Sequence, residues 1–235
     1  MSDSAIVHYQ VEDGVALLTM DDGKANALSI AMLEQIDDAL AKAKREAKAL
    51  VIAGRPGKFC AGFDLKVMMS GPAAAKELVG RGAEMLMRIY ELPMPVVAAC
   101  TGHAVAGGAL ILLASDVRIG VLGDFKIGLN EVAIGMTLPI LAQELARDRL
   151  APTRLAEAVL HATLYSPVDA VTVGYLDRVE VPDALAGAAQ QQAVGMKALP
   201  RGAYGATKRR LRRATIEHIR STLEADLDEL TGPAK

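Results

Sequence analysis

The chain has 235 residues, 51% of them apolar and 23% charged, with a net charge of −2. That balance allows a large core and excludes a disordered chain. It gives no broad electrostatic case for nucleic acid or an anionic membrane surface, and two cysteines, Cys60 and Cys100, make no disulfide framework.

In chain order, Ile6–Gln10 and Val15–Met20 are short β-like runs around a Glu12-Asp13-Gly14 turn, which predicts a hairpin. Ser29 is placed to cap a helix from Ile30 to about Ala47, with Met32, Leu33, Ile36 and Leu40 at helical spacing. Lys42, Lys44, Arg45 and Lys48 crowd its last turns, as the helix dipole favours. Ala49–Ala53 reads as a buried strand closed by Gly54-Arg55-Pro56-Gly57, and Ala73–Glu91 as a second helix. Pro95–Cys100, Val117–Val121 and Phe125–Ile127 read as strands. After Pro139 the pattern becomes almost wholly helical, over Leu141–Leu150, Thr153–Ala162, Asp183–Leu199 and about Thr207 to Leu230, with prolines near 139 and 152 marking helix starts. The reading is an α/β core over residues 1–180 with a helical extension over 181–235, joined by no Ser/Gly-rich linker.

The N-terminus lacks a basic segment followed by an apolar core, so no secretory signal is expected. The longest apolar run, Ala104 to Ala114, is interrupted by Gly107 and Gly108 and is too short to span a bilayer. A cytoplasmic location is the expectation. The cysteines read as small buried residues.

Three segments carry chemistry. In "GKFCAGFDLK" (57–66) and "HAVAGGALIL" (103–112), a strand ends in small residues. Small residues let a backbone approach a ligand, and helix starts leave N–H groups unpaired. Two such N–H groups aimed at one point would form an oxyanion hole. Either segment alone is also compatible with tight packing and no function. The third, "FKIGLNEVAIGM" (125–136), sets Glu131 in an apolar run, either at a helix start or desolvated into a stronger base.

Together, "GKANAL" (23–28), "FCAGFDL" (59–65), "AGGALILLASDVRI" (106–119) and "GLNEVAIG" (128–135) resemble the enoyl-CoA hydratase/isomerase, or crotonase, family. The resemblance implies a spiral of ββα units with a helical C-terminal trimerisation region. It implies a homotrimer or a dimer of trimers, acting on an acyl-CoA thioester with no further cofactor and no metal. By position, the Phe63 and Gly107 N–H groups would hold the thioester oxygen, and Glu131 would be the base. Ala25, Ala61, Phe63, Asp64, Leu65, Lys66, Gly107 and Leu110 would line the substrate and CoA site, with Lys208 approaching the CoA phosphates.

Leu110 decides between branches. In hydratases a glutamate stands there and helps position water, so a leucine leaves one base in a dry pocket. That resembles the Δ3,Δ2-enoyl-CoA isomerase branch, with Glu131 moving a proton from C2 to C4 of a 3-enoyl-CoA. A hydratase acting on 2-enoyl-CoA and a catalytically silent acyl-CoA binder are the alternatives.

Other features read as structural. Asp64, Glu84, Glu91 and Asp124 could assist as acids but fit solvated charges or turns. His8, His103, His161 and His218 have no zinc-ligand spacing, and His103 fits local packing at a strand end. "KRRLRR" (208–213) fits the exposed face of the last helix. Ser115 lies in no G-x-S-x-G elbow, and both nucleotide-binding glycine motifs are absent.

Overall fold

The computed structural model describes residues 5–231. Residues 1–4 of the N-terminal reading, and 232–235 of the expected C-terminal extension, lie outside the described residues. The chain opens on the expected hairpin, β1 (Val7–Glu12) against β2 (Val15–Met20), with Asp13 at φ 52° and Gly14 at φ 72° making the turn. Helix α1 (Ile30–Glu46) is capped by Ser29, whose hydroxyl accepts from Met32 N–H at 3.2 Å. It buries Met32, Leu33, Ile36 and Leu40 and delivers the chain to β3 (Ala49–Gly54), parallel beside β2.

From β3 onward one unit recurs: a strand of the main sheet, a kink, a short strand in a second sheet, then helix. β3 leads into β4 (Gly57–Cys60), then short α2 (Leu65–Met68) and α3 (Pro72–Glu91). β5 (Val96–Cys100) leads into β6 (Gly102–Val105) and α4 (Gly107–Ala114). β7 (Val117–Val121) leads into β8 (Ile127–Gly128) and a 3-10 turn at Val132–Ile134. The main sheet has six strands in the order β1-β2-β3-β5-β7-β9, and the second has three, β4-β6-β8, paired in parallel. The kink sites demand small residues: a Cβ on Gly102 would lie 2.0 Å from the Gly57 carbonyl carbon.

The remainder comprises α5 (Ile140–Arg149), a 3-10 turn at Pro152–Arg154, α6 (Leu155–Val159), α7 (Pro167–Val173), β9 (Arg178–Glu180), α8 (Pro182–Lys197) and α9 (Arg201–Thr231). Three expectations change. The strand expected at Phe125–Ile127 is Ile127–Gly128, because Phe125 N–H turns back to Gly123 C=O at 3.0 Å. The helix expected over Thr153–Ala162 is shorter, and Ala162 at φ 51° leaves helical space. Strands β4, β6 and β9 and helices α2 and α7 were not anticipated.

Alternate residues of the central strands face two cores. Leu50, Ile52, Val96 and Ala98 join α1, α3 and α4 in the main core. Val51, Val97, Ala99 and Ile119 face Leu185, Ala189 and Ala193 of α8. On that second face lies a half-open cavity of about 640 Å³, lined by Leu17, Val51, Ala99, Phe125, Leu185 and Ala189 among others. None of the expected site residues lines it. Helix α9 packs along α3 and α5. Among the described residues, no helix is long and apolar enough to cross a membrane.

Candidate active site

Phe63, Gly107 and Glu131 come from three different turns of the chain, yet all follow strands of the second sheet. Phe63 follows Cys60, the end of β4; Gly107 follows Val105, the end of β6; Glu131 follows Gly128, the end of β8. Adjacent strands lie about 4.8 Å apart. Two N–H donors on neighbouring strand ends can therefore both reach one oxygen, at about 2.9 Å each.

The backbone around Phe63 is locked to the turn after β2. Leu28 N–H donates to Gly62 C=O at 2.8 Å, and Asp64 N–H donates to Leu28 C=O at 3.2 Å. This parallel bridge leaves the N–H of Phe63 on the opposite side of the strand. Gly62, at φ 91°, turns that side toward α4: a Cβ on it would lie 2.8 Å from Ala106 Cβ and 3.2 Å from Gly107 N. Ala106 precedes α4 at φ 49°, so the helix starts abruptly with Gly107 N–H in its first turn, where no intrahelical acceptor exists. Gly108 brings α4 down onto β4, since a Cβ there would meet Cys60 O at 2.1 Å.

Asn26 was missed by sequence reasoning. It is fully buried at φ 54°, accepts from Asp22 N–H, and donates to Met20 O, Lys58 O and Phe59 O at 2.9, 3.0 and 3.2 Å. It ties the "GKANAL" turn to β4 and so seats Ala25 beside Ala61, whose N–H donates to Ala25 C=O at 3.0 Å. Its signal was only an Asn in a turn between two elements.

Glu131 is 8% exposed and begins the 3-10 turn. Burial lifts its carboxyl to about 7, opposed by its own and Asn130's N–H groups. One carboxylate oxygen, Oε2, has no hydrogen-bond partner. The desolvated reading of this acid therefore holds over the surface one. Leu110 lies one turn into α4, on the face that follows Gly107, and is 2% exposed.

The other expected lining residues divide. Ala61 and Lys66 are exposed, Ala25, Phe63 and Asp64 are half-buried, and Leu65 is 57% exposed, so they form a rim. Asp64 caps α2, accepting from Lys66 N–H at 2.9 Å. Lys208 stands apart from these in the chain. It is 7% exposed, and its Nζ donates to Asp116 Oδ2 at 2.7 Å, beyond the C-terminal end of α4. That is a helix length, about 12 Å, from Gly107. Burial lowers its ammonium to about 8 against the pull of Asp116. Arg212 shares Asp116 at 2.9 Å and lies 4.1 Å over the Tyr90 ring. The basic run is thus split: Lys208 and Arg212 face inward, while Arg209, Arg210 and Arg213 face solvent.

The remaining acids are capped, paired or solvated, Glu91 with Arg220 at 2.7 Å and Glu84 and Asp124 exposed. His103 packs locally, its ring edge-on to Phe125 and its Nδ1 accepting from Lys126 N–H at 3.0 Å. Ser115 donates to Ile111 O at 2.8 Å and is buried. Both cysteines are buried free thiols, pushed up to about 12 by burial. Among the described residues, no group of three or more His, Cys, Asp or Glu is placed to hold a metal ion.

Over residues 10–234 the sequence matches the family described as enoyl-CoA hydratase/isomerase. The chain belongs to that family. It is 29% identical to mouse (Mus musculus) "Enoyl-CoA delta isomerase 1, mitochondrial", across 96% of its own length and 80% of the relative's. It is 38% identical to a "Probable enoyl-CoA hydratase" of Rhodobacter capsulatus, over 48% of its own length and 45% of the relative's. A crystal structure of an enoyl-CoA hydratase/isomerase family protein from Pseudomonas syringae superposes with a TM-score of 0.94 at 40% identity, covering 96% of this chain and 98% of that one. The α/β crotonase-type fold expected from the sequence motifs is thereby established.

Proposed function

We propose that this family member moves the double bond of a 3-enoyl-CoA to the 2-position. The observation that carries the reading is the buried carboxylate of Glu131, with buried Leu110 at the position where a second glutamate would have to stand to hold water.

In the proposed reaction the thioester oxygen is bound by the N–H groups of Phe63 and Gly107. Both donors are main-chain, so the bulk of the Phe63 side chain is no obstacle. Glu131 removes a proton from C2, and the electron pair passes into a dienolate whose charge rests on that oxygen. The carboxylic acid then returns the proton to C4. A preorganised donor of this kind contributes about 3 kcal/mol to the transition state. The carboxyl, lifted to about 7, is matched to taking and returning a proton near neutrality. A leucine at 110 dries the pocket and discourages addition of water. No cofactor beyond the CoA of the substrate is required.

The exposed rim of Ala61, Leu65 and Lys66 is proposed to receive the CoA portion. A homotrimer or dimer of trimers is proposed with it; the apolar sheet face that α8 only partly covers supports burial against another copy. The buried thiols fit a reducing, cytoplasmic setting.

The test is an activity panel of 2-enoyl-, 3-enoyl- and 3-hydroxyacyl-CoA esters. The expected result is rapid conversion of 3-hexenoyl-CoA, lost by several orders of magnitude in Glu131→Gln. Brisk hydration of crotonyl-CoA with 3-hexenoyl-CoA untouched would overturn the proposal in favour of a hydratase. Binding without turnover of any ester would favour the silent binder.

A further inference from the structure

Gly82 is buried in the interior of α3. Glycine is unfavourable there, because it loses more backbone freedom than any other residue and brings no side chain to pack. The space a side chain would take is filled by Phe63. A Cβ on Gly82 would lie 2.5 Å from Cζ of the Phe63 ring and closer still to its Cε1. Gly80, one turn face away, makes no such demand: a Cβ there would meet Leu227 Cδ1 at an ordinary 3.4 Å. Gly82 is thus a notch in α3, and one edge of the Phe63 ring is seated in it.

The other edge of the same ring reaches α4. Phe63 Cε2 lies 3.5 Å from the place of a Cβ on Gly107, beside Gly62 Cα at 3.4 Å and Leu28 Cδ1 at 2.8 Å. Cε1 and Cε2 stand on opposite sides of a planar ring that cannot shorten. The ring therefore sets the gap between the α3 backbone and the first turn of α4.

That gap matters because the pairing of β4 with β6 ends at Cys60 and Ala104, short of both N–H donors. The hydrogen bond from Leu28 N–H to Gly62 C=O fixes the direction of the Gly62–Phe63 peptide, but Gly62, at φ 91°, brings no side chain to hold its distance from α4. The Phe63 ring does hold it, half-buried and packed on the main core. It belongs to the residue of one donor and braces the residue of the other.

Resting on the reading that these two N–H groups hold a thioester oxygen, we infer that the side chain of Phe63 is a positioning strut: seated in the Gly82 notch and braced on Gly107, it fixes the separation of the two donors and so their common focus. The ring acts through the donors and takes no part in proton transfer. Hydrogen bonds weaken steeply as they lengthen and bend. A shifted donor therefore loses most where charge develops, on the oxygen of the dienolate.

The decisive variant is Gly82→Ala, since Gly82 supplies no group to the site. The added carbon takes the place of the ring edge, and a side chain yields before a backbone, so the chain folds with the ring displaced. Isomerisation of 3-hexenoyl-CoA should show kcat lower by about tenfold with KM little changed, the mark of an interaction special to the transition state. A second measurement needs no turnover: the infrared carbonyl band of bound hexanoyl-CoA labelled with ¹³C at C1. Two donors on the oxygen lower its frequency in the wild type, and Gly82→Ala and Phe63→Ala should each move it back toward that of the free ester. Phe63→Ala combined with Gly82→Ala should lose no more than Phe63→Ala alone, because the notch then has no ring to hold. Phe63→Leu, too short to reach from the notch to α4, gives the same reading of the band should the methyl of Gly82→Ala prevent folding.

An unmoved band with unchanged kcat in Gly82→Ala would overturn the inference. So would a lower melting temperature with an unmoved band, which is the signature of packing alone. Losses that add in full in the double variant would also overturn it, since ring and notch would then act separately. Failure of the wild type to isomerise would count against the isomerase reading, while a wild-type band shift that is lost in Gly82→Ala would still establish the strut.

Discussion

Glu131 destabilises the fold for the same reason that it suits proton transfer. Its carboxyl titrates at about 7 in the folded chain and near 4.5 when solvated, because burial penalises the charge. The unfolded chain therefore releases this proton first as pH rises. Stability from the neutral carboxyl is complete below about pH 4 and is lost progressively up to about pH 7. Glu131→Gln escapes that loss, so urea denaturation should show it gaining about 3 kcal/mol on the wild type between pH 4 and pH 8. Activity has the opposite sense: the base must be ionised, so kcat/KM should fall as pH drops below about 7. Leu110 tests the division between branches. Leu110→Glu should lower isomerisation and introduce measurable hydration of crotonyl-CoA, and it should destabilise the fold because the site is 2% exposed. An unchanged product spectrum from a folded variant would show that residue 110 does not face the reacting carbons.

Helix α4 has an end for each purpose. Its start offers unpaired N–H groups, and just past its other end Asp116 gathers Lys208 Nζ at 2.7 Å, Arg212 at 2.9 Å and Val96 N–H at 2.8 Å. Asp116→Asn leaves two buried cations without their partner, which costs about 3–5 kcal/mol. Denaturant melting should show that loss, while the folded fraction should keep its kcat within a few-fold, because the change lies a helix length from Gly107. The contrast explains what was legible in the sequence. The start of α4 showed itself through Ala106-Gly107-Gly108, since a close approach of backbone leaves only small residues. Lys208 did not, because helical position alone cannot say which face of α9 meets α3. Strands β4 and β6 were hidden for another reason: they are four residues each and follow closely on main-sheet strands, so periodicity has too little chain to act on.

Across the whole molecule, the last helix completes the main core and does not hang beside it. Ile219 is buried with that core, and Lys76 of α3 pairs with Glu224 at 3.1 Å. A chain ending after Leu199 should therefore lose cooperative unfolding by circular dichroism, and retention of a sharp transition would show residues 5–199 to be self-sufficient. The second sheet has a consequence of its own. Its three short strands act as parallel rails that each lead to one residue of the proposed site at the same edge. A one-residue slip on any rail would reverse which way its payload points, leaving the other two aligned on nothing. Exchange of a side chain beyond a rail, by contrast, leaves the alignment untouched. The same scaffold can thus be refitted for a new reaction by point substitution, whereas insertions within the rails are closed to it.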